Sequence, residues 1–286
     1  MEEKQLLNLN VFAARIRLDI LKMLTNIGYG HLGGSFSIVE LMAVLYGKQL
    51  KYDANNPTWE DRDYVVLSKG HAGPALYCAL SNKGFFPKEE LLTLNAGGTN
   101  LPSHPDRLKT IGVDATTGSL GQGTSQAAGI ATGLKKLNKD SYVYLIVGDG
   151  ELNEGQCWEA FQYIANYKLD NLIVIIDNNK RQLDGFTIDI MNPFDIAEKM
   201  KSFGFATKTV KGNDIEAIDN TINELKEIKD SALCIVLDSI KGQGVKYFED
   251  LIANHSVKFN NDEINEAAAN AKAALEKFIK DGGSNV

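Results

Sequence analysis

The 286-residue sequence is 44% hydrophobic and carries 37 acidic against 30 basic side chains, a net charge of −7. That composition supports a substantial buried core and excludes a disordered or fibrous chain, while the acidic balance argues against nucleic acid or an anionic membrane as main partner, since both call for a basic face. Cys78, Cys157 and Cys234 are odd in number and lack metal-site spacing, there is no apolar signal core, and no run approaches the ~18 apolar residues of a span; the expectation is a cytoplasmic protein without membrane contact.

In chain order, apolar residues at helical spacing (Leu6, Leu9, Phe12, Ile16, Ile20, Met23) predict a helix over 2–26 that stops at Gly28. Further helical patterns cover 37–50, 74–83, 124–137, 155–167, 214–229 and 262–280. Between them, short apolar runs at 64–67, 142–147, 172–176, 205–210 and 233–237 read as strands buried on both faces. Strands alternating with helices predict an α/β fold with a parallel sheet flanked by helices. Neither a repeat nor a linker divides the chain, so it reads as a single domain over 1–286 with a C-terminal helical extension at about 261–281. Ligands of such sheets bind beyond the carboxyl ends of the strands.

One such end carries chemistry. Gly148-Asp149-Gly150 follows the strand at 142–147 and precedes a helix beginning near Gly155. The glycines let backbone approach a phosphate, and Asp149 beside a phosphate is repulsive unless a divalent cation, Mg²⁺ or Ca²⁺, bridges the two. After 27 intervening residues, 151–177, Asn178-Asn179 ends the next strand and offers an amide oxygen to the same crevice. Taken by themselves, these motifs also read as an ordinary turn and an ordinary strand stop. Gly121-Gln-Gly123 lacks the third glycine of a dinucleotide loop and has no clear strand before it, so it is not one.

The GDG, its spacer and the NN resemble the thiamin diphosphate fingerprint. Gly30-His31-Leu32-Gly33-Gly34, the stretch from Asp61 to His71, Ser103-His104-Pro105 and the stretch from Thr116 to Gly123 narrow the resemblance to the transketolase family, over about residues 10–255. It covers only the family's N-terminal, diphosphate-binding half. The resemblance implies thiamin diphosphate with Mg²⁺ or Ca²⁺ as cofactors, the metal held by Asp149, the Asn179 side chain and the backbone carbonyl of Arg181. It assigns cofactor contacts to His71, to Gly118, Ser119 and Leu120, and to Gly148, Asp149, Gly150, Glu151 and Asn179, and it places Glu154 at a subunit contact near the cofactor. A solvated glutamate in a first helical turn is the plainer reading of Glu154.

All four histidines, His31, His71, His104 and His255, fall at or near active-site histidine positions of the family, where imidazole suits proton transfer to and from sugar oxygens. Ser256 replaces the family's glycine after His255, and Lys241 replaces an apolar residue on the thiazolium side, where a lysine also has the reach to touch phosphate. The family's activating glutamate belongs to a pyrimidine-binding domain that this sequence does not contain, and Gly282 to Val286 reads as a frayed natural end. The expectation is therefore the N-terminal subunit of a split transketolase. It would be active only in a heterotetramer with a C-terminal subunit carrying the pyrimidine domain, moving a two-carbon ketol unit from a ketose phosphate to an aldose phosphate, either in pentose phosphate metabolism or with a specialised ketose. The alternatives are a 2-oxo acid dehydrogenase E1 component, a 1-deoxyxylulose-5-phosphate synthase relative, and a non-catalytic scaffold subunit.

Overall fold

The computed structural model describes residues 1–282, so the end at 283–286, read above as frayed, lies outside the described residues. In chain order the helices are α1 (Glu3–Ile27), α2 (Gly33–Phe36), α3 (Val39–Val44), α4 (Gly73–Asn82), α5 (Gln122–Lys136), α6 (Gly155–Asn166), α7 (Thr187–Ile190), α8 (Ile196–Ser202), α9 (Ile215–Lys226), α10 (Lys246–Asp250) and α11 (Asp262–Lys280). The strands are β1 (Tyr29–Gly30), β2 (Tyr64–Leu67), β3 (Val143–Gly148), β4 (Leu172–Asn178), β5 (Phe205–Lys211), β6 (Ala232–Asp238) and β7 (Val257–Lys258).

Five strands form a parallel sheet in the order β2-β3-β4-β6-β5. Alternate residues feed two cores, because successive side chains of a strand point to opposite faces. Tyr144, Ile146, Ile173 and Ile235 join α1, α3, α4 and α9 on one face, while Val143, Leu145, Val174 and Val236 join α5, α6 and α8 on the other. This is the α/β sheet flanked by helices that the alternation predicts. β5 departs from the doubly buried reading: it is an edge strand, and Thr207 to Thr209 are only half-buried or exposed.

Helix ends follow local chemistry. Gly28, at φ +87°, closes α1 by donating its N–H to the Leu24 carbonyl at 2.9 Å. Asp195, Asp214 and Asn261 cap α8, α9 and α11 through side-chain oxygens. The helix expected over 37–50 spans 39–49, with α3 running directly into a π-helical turn at Leu45–Gln49, while the short α2 lies just before it. Burial of nearly every side chain from Leu32 to Tyr46 leaves no polar face in the sequence to mark the change to the π-helical turn. No helix among the described residues is long and apolar enough to cross a membrane.

Two features position the site. The carboxyl ends of β2, β3, β4 and β6 lie side by side, with Gly148 paired to Asp177 and Asn178 to Asp238. A second, two-stranded ladder pairs Gly30 with Val257 and so sets the segments carrying His31 and His255 against each other.

Candidate active site at the carboxyl ends of the sheet

The strand ends enclose a cavity of about 290 Å³. His31 follows β1, His71 sits in the tight turn Gly70–Ala72 after β2, His104 comes from the loop before α5, and His255 precedes β7. Their rings form one group: His31 lies 5.8 Å from His71, 5.6 Å from His104 and 5.3 Å from His255 between centroids, and His71 lies 4.8 Å from His255. Burial pulls the His31 imidazole down to about 4, helped by His104 and Lys241. Burial, then Lys241, pulls His255 down to about 3. His71 is held well below its ordinary value by burial and by Lys69, and His104 is lowered by burial. At neutral pH all four rings are therefore uncharged, each offering one donor and one acceptor.

The turn after β3 also presents Asp149, 3% exposed, to the cavity. Its carboxylate accepts from Gly150 N at 2.8 Å and Lys180 N at 2.6 Å. Burial, with Asp177 close by, raises it to about 7, so a cation at this carboxylate would relieve a real electrostatic cost. Asn179 lines the cavity after β4; its Nδ2 donates to Asp177 at 2.7 Å and its Oδ1 accepts from Arg181 N at 3.1 Å. The Arg181 side chain turns away to the Glu249 and Leu251 carbonyls, so its own carbonyl is what it brings to the site.

Gly118, Leu120, Gly148, Gly150 and Glu151 also line the cavity. Gly118 adopts φ +146°, and a Cβ there would meet His104 at 3.2 Å, so the backbone passes where a side chain has no room. Glu151 braces the wall: it accepts from Ser68 Oγ at 2.5 Å, Gly121 N at 2.8 Å and Gly148 N at 3.0 Å, tying β2, β3 and the start of α5 together. Ser119 and Glu154 are exposed and stand outside the cavity.

Lys69 and Asp177 do not emerge from the sequence motifs as site residues, whereas Lys241 does. Lys69 and Asp177 form a fully buried ion pair at 2.5 Å beneath the cavity, joined by Ser37 and Ser239. Lys241, 3% exposed, places its ammonium 3.2 Å from the Arg181 carbonyl, 3.3 Å from that of Gln182 and 3.1 Å from His255 Nδ1. Burial, then Lys69, lowers it to about 8. Lys69 lies inside one of the recognisable motifs, which is the only sequence signal that marks it.

Comparison with known proteins decides what this cavity belongs to. The family described as "Transketolase, thiamine diphosphate binding domain" matches residues 10–278. The chain belongs to the transketolase family. A 6-deoxy-6-sulfo-D-fructose transketolase subunit from Clostridium sp. is 43% identical over 99% of this chain and 100% of its own length. One of the subunits of an apulose-4-phosphate transketolase, from Actinobacillus succinogenes, is 36% identical over 85% of this chain and 88% of its own. Among solved structures, transketolase from Campylobacter jejuni superposes with a TM-score of 0.83 at 26% identity, covering 99% of this chain and 47% of that one. Transketolase from Leishmania mexicana gives 0.80 at 27%, covering 99% and 46%. The chain thus spans just under half the length of these transketolase structures and corresponds to their diphosphate-binding domain.

The residues present fit the family's cofactor at its diphosphate end. No group of three His, Cys, Asp or Glu side chains among the described residues has metal-binding geometry. Asp149, Asn179 Oδ1 and the Arg181 carbonyl, which here accepts from the Lys241 ammonium at 3.2 Å, offer instead only oxygen, the donor type a hard cation takes.

Proposed function

We propose that this chain is the diphosphate-binding subunit of a split, thiamin diphosphate-dependent transketolase. A separate C-terminal chain supplies the pyrimidine domain, with two copies of each chain in the assembly. The reaction is transfer of a two-carbon ketol unit from a ketose with an anionic tail to an aldose phosphate. The observation that carries this reading is the cavity itself: four histidines and an aspartate-asparagine pair line one pocket at the ends of adjacent parallel strands.

In this reading Asp149, Asn179 and the Arg181 carbonyl hold Mg²⁺ or Ca²⁺, and Lys241 and His71 stand within reach of the diphosphate. When bound, thiamin diphosphate supplies the electron sink for cleaving and forming the carbon–carbon bond. The protein's part is placement and proton handling. His31, His104 and His255 accept the proton of a donor hydroxyl and return one to the acceptor carbonyl oxygen, a task for which neutral imidazoles are suited.

Support for the second chain comes from apolar exposure. Leu120 and Leu183 line the cavity yet are exposed, and Ile188, Met191 and Phe194 continue the segment that begins at Leu183, each exposed by more than 60% of its surface. Apolar side chains so grouped mark a protein contact. The two subunit-named relatives, acting on a sulfonated ketose and on apulose 4-phosphate, favour a specialised donor, with 6-deoxy-6-sulfo-D-fructose the candidate taken from the 43% identical subunit.

The test is ketol transfer by the assembled enzyme with 6-deoxy-6-sulfo-D-fructose or a ketose phosphate as donor, comparing wild type with Asp149→Ala. Loss of at least about 10²-fold in kcat/KM is expected, of the size seen when a positioned electrostatic group is removed. Unchanged turnover in the variant would leave the chain a scaffold.

A further inference from the structure

Asp177 lies near the end of β4 with no exposed surface, and donors from four separate segments converge on its carboxylate. Oδ2 accepts from Lys69 Nζ at 2.5 Å, from Ser37 Oγ at 2.7 Å and from Asn179 Nδ2 at 2.7 Å, while Oδ1 accepts from Ser239 Oγ. Lys69 spends a second proton on the Gly34 carbonyl at 2.7 Å, so its charge is balanced inside this cluster. An ionised carboxylate accepts and never donates. It therefore discriminates between the two ends of the Asn179 amide: the nitrogen turns to Asp177, and the oxygen is left for Arg181 N and the cavity.

We propose that Asp177 is a positioning residue of the cation site, presenting the oxygen of Asn179, and not its NH₂, to a metal beside Asp149. This rests on the reading of Asp149 and Asn179 as the cation-binding pair. A hard divalent cation takes oxygen ligands only, so an amide free to turn over loses a ligand whenever it does. Partners that orient a ligating side chain typically account for roughly 10- to 100-fold in metal affinity.

The test is calorimetric titration of Mg²⁺ into the full chain, assembled with its partner and saturated with thiamin diphosphate. Asp177→Asn offers an amide that donates as well as accepts, and Mg²⁺ affinity is expected to fall roughly 10- to 100-fold. Adding Asn179→Asp to that variant restores the total charge and puts a carboxylate at 179, which presents oxygen whichever way it turns. The double variant is expected to recover most of the lost affinity, a rescue that a purely structural role for Asp177 would not give. Wild-type affinity in Asp177→Asn overturns the proposal, as does a folded double variant that stays weak. If Asp177→Asn does not fold, the double variant alone decides. Failure of both to fold also overturns it, because Asp177 then serves only to hold the strand ends together. Failure of the underlying reading is distinguishable: wild type itself would show no Mg²⁺ binding, and Asp149→Ala would change nothing.

Discussion

His31 faces three other imidazoles and the ammonium of Lys241, so a proton added to it meets burial first and like charge second. In the unfolded chain it takes up that proton near 6.5; in the fold it waits until about 4. The unfolded state therefore binds more protons between these values, and the contribution of His31 to stability is complete above about 6.5 and is lost as pH falls toward 4. His31→Asn is expected to flatten the pH dependence of Tm in that window; a slope identical to wild type would contradict the buried, neutral assignment. At Gly118 both the positive φ and the closeness of His104 oppose a side chain. Gly118→Ala is expected to cost about 1 to 3 kcal/mol in denaturant unfolding and to lower activity by displacing His104. At this scale the sequence is partly transparent. Histidines and a GDG are rare enough to be noticed where they stand, whereas the Lys69–Asp177 pair and the Lys241–His255 contact exist only because strand ends meet, and no local pattern announces that.

Among the elements, the inner strands are legible because β3, β4 and β6 are unbroken apolar runs, observed within a residue or two of where periodicity puts them. β1 and β7 are not, because two residues each carry no periodic signal; they are strands only by pairing across the chain. α7 and α8 are likewise absent from the expected helices, α7 being little more than one turn. Residues 183–194 carry scattered apolar side chains that the fold leaves exposed: Ile188 at 66%, Met191 at 61%, Phe194 at 74%. Such exposure makes sense for a surface covered in an assembly. Ile188→Asp with Phe194→Asp is expected to change the stability of the isolated chain by no more than about 0.5 kcal/mol, as surface substitutions do, while abolishing co-elution with the second chain. Retained co-elution would place the contact elsewhere.

At the scale of the molecule, the sheet supplies one wall of a site and leaves apolar side chains exposed beside its mouth. The described residues gather an aspartate-asparagine pair and four histidines around one cavity of about 290 Å³. Under the proposed function the rest of the cofactor lies against a second chain, so neither chain alone completes the site. The most direct measurement is thiamin diphosphate binding and ketol transfer by the purified chain, alone and after addition of the candidate C-terminal chain, with Mg²⁺ present throughout. Weak binding and no turnover alone, with both restored on mixing, is the expected result. Full turnover by the chain alone, or none after a stable complex has formed, would contradict the account.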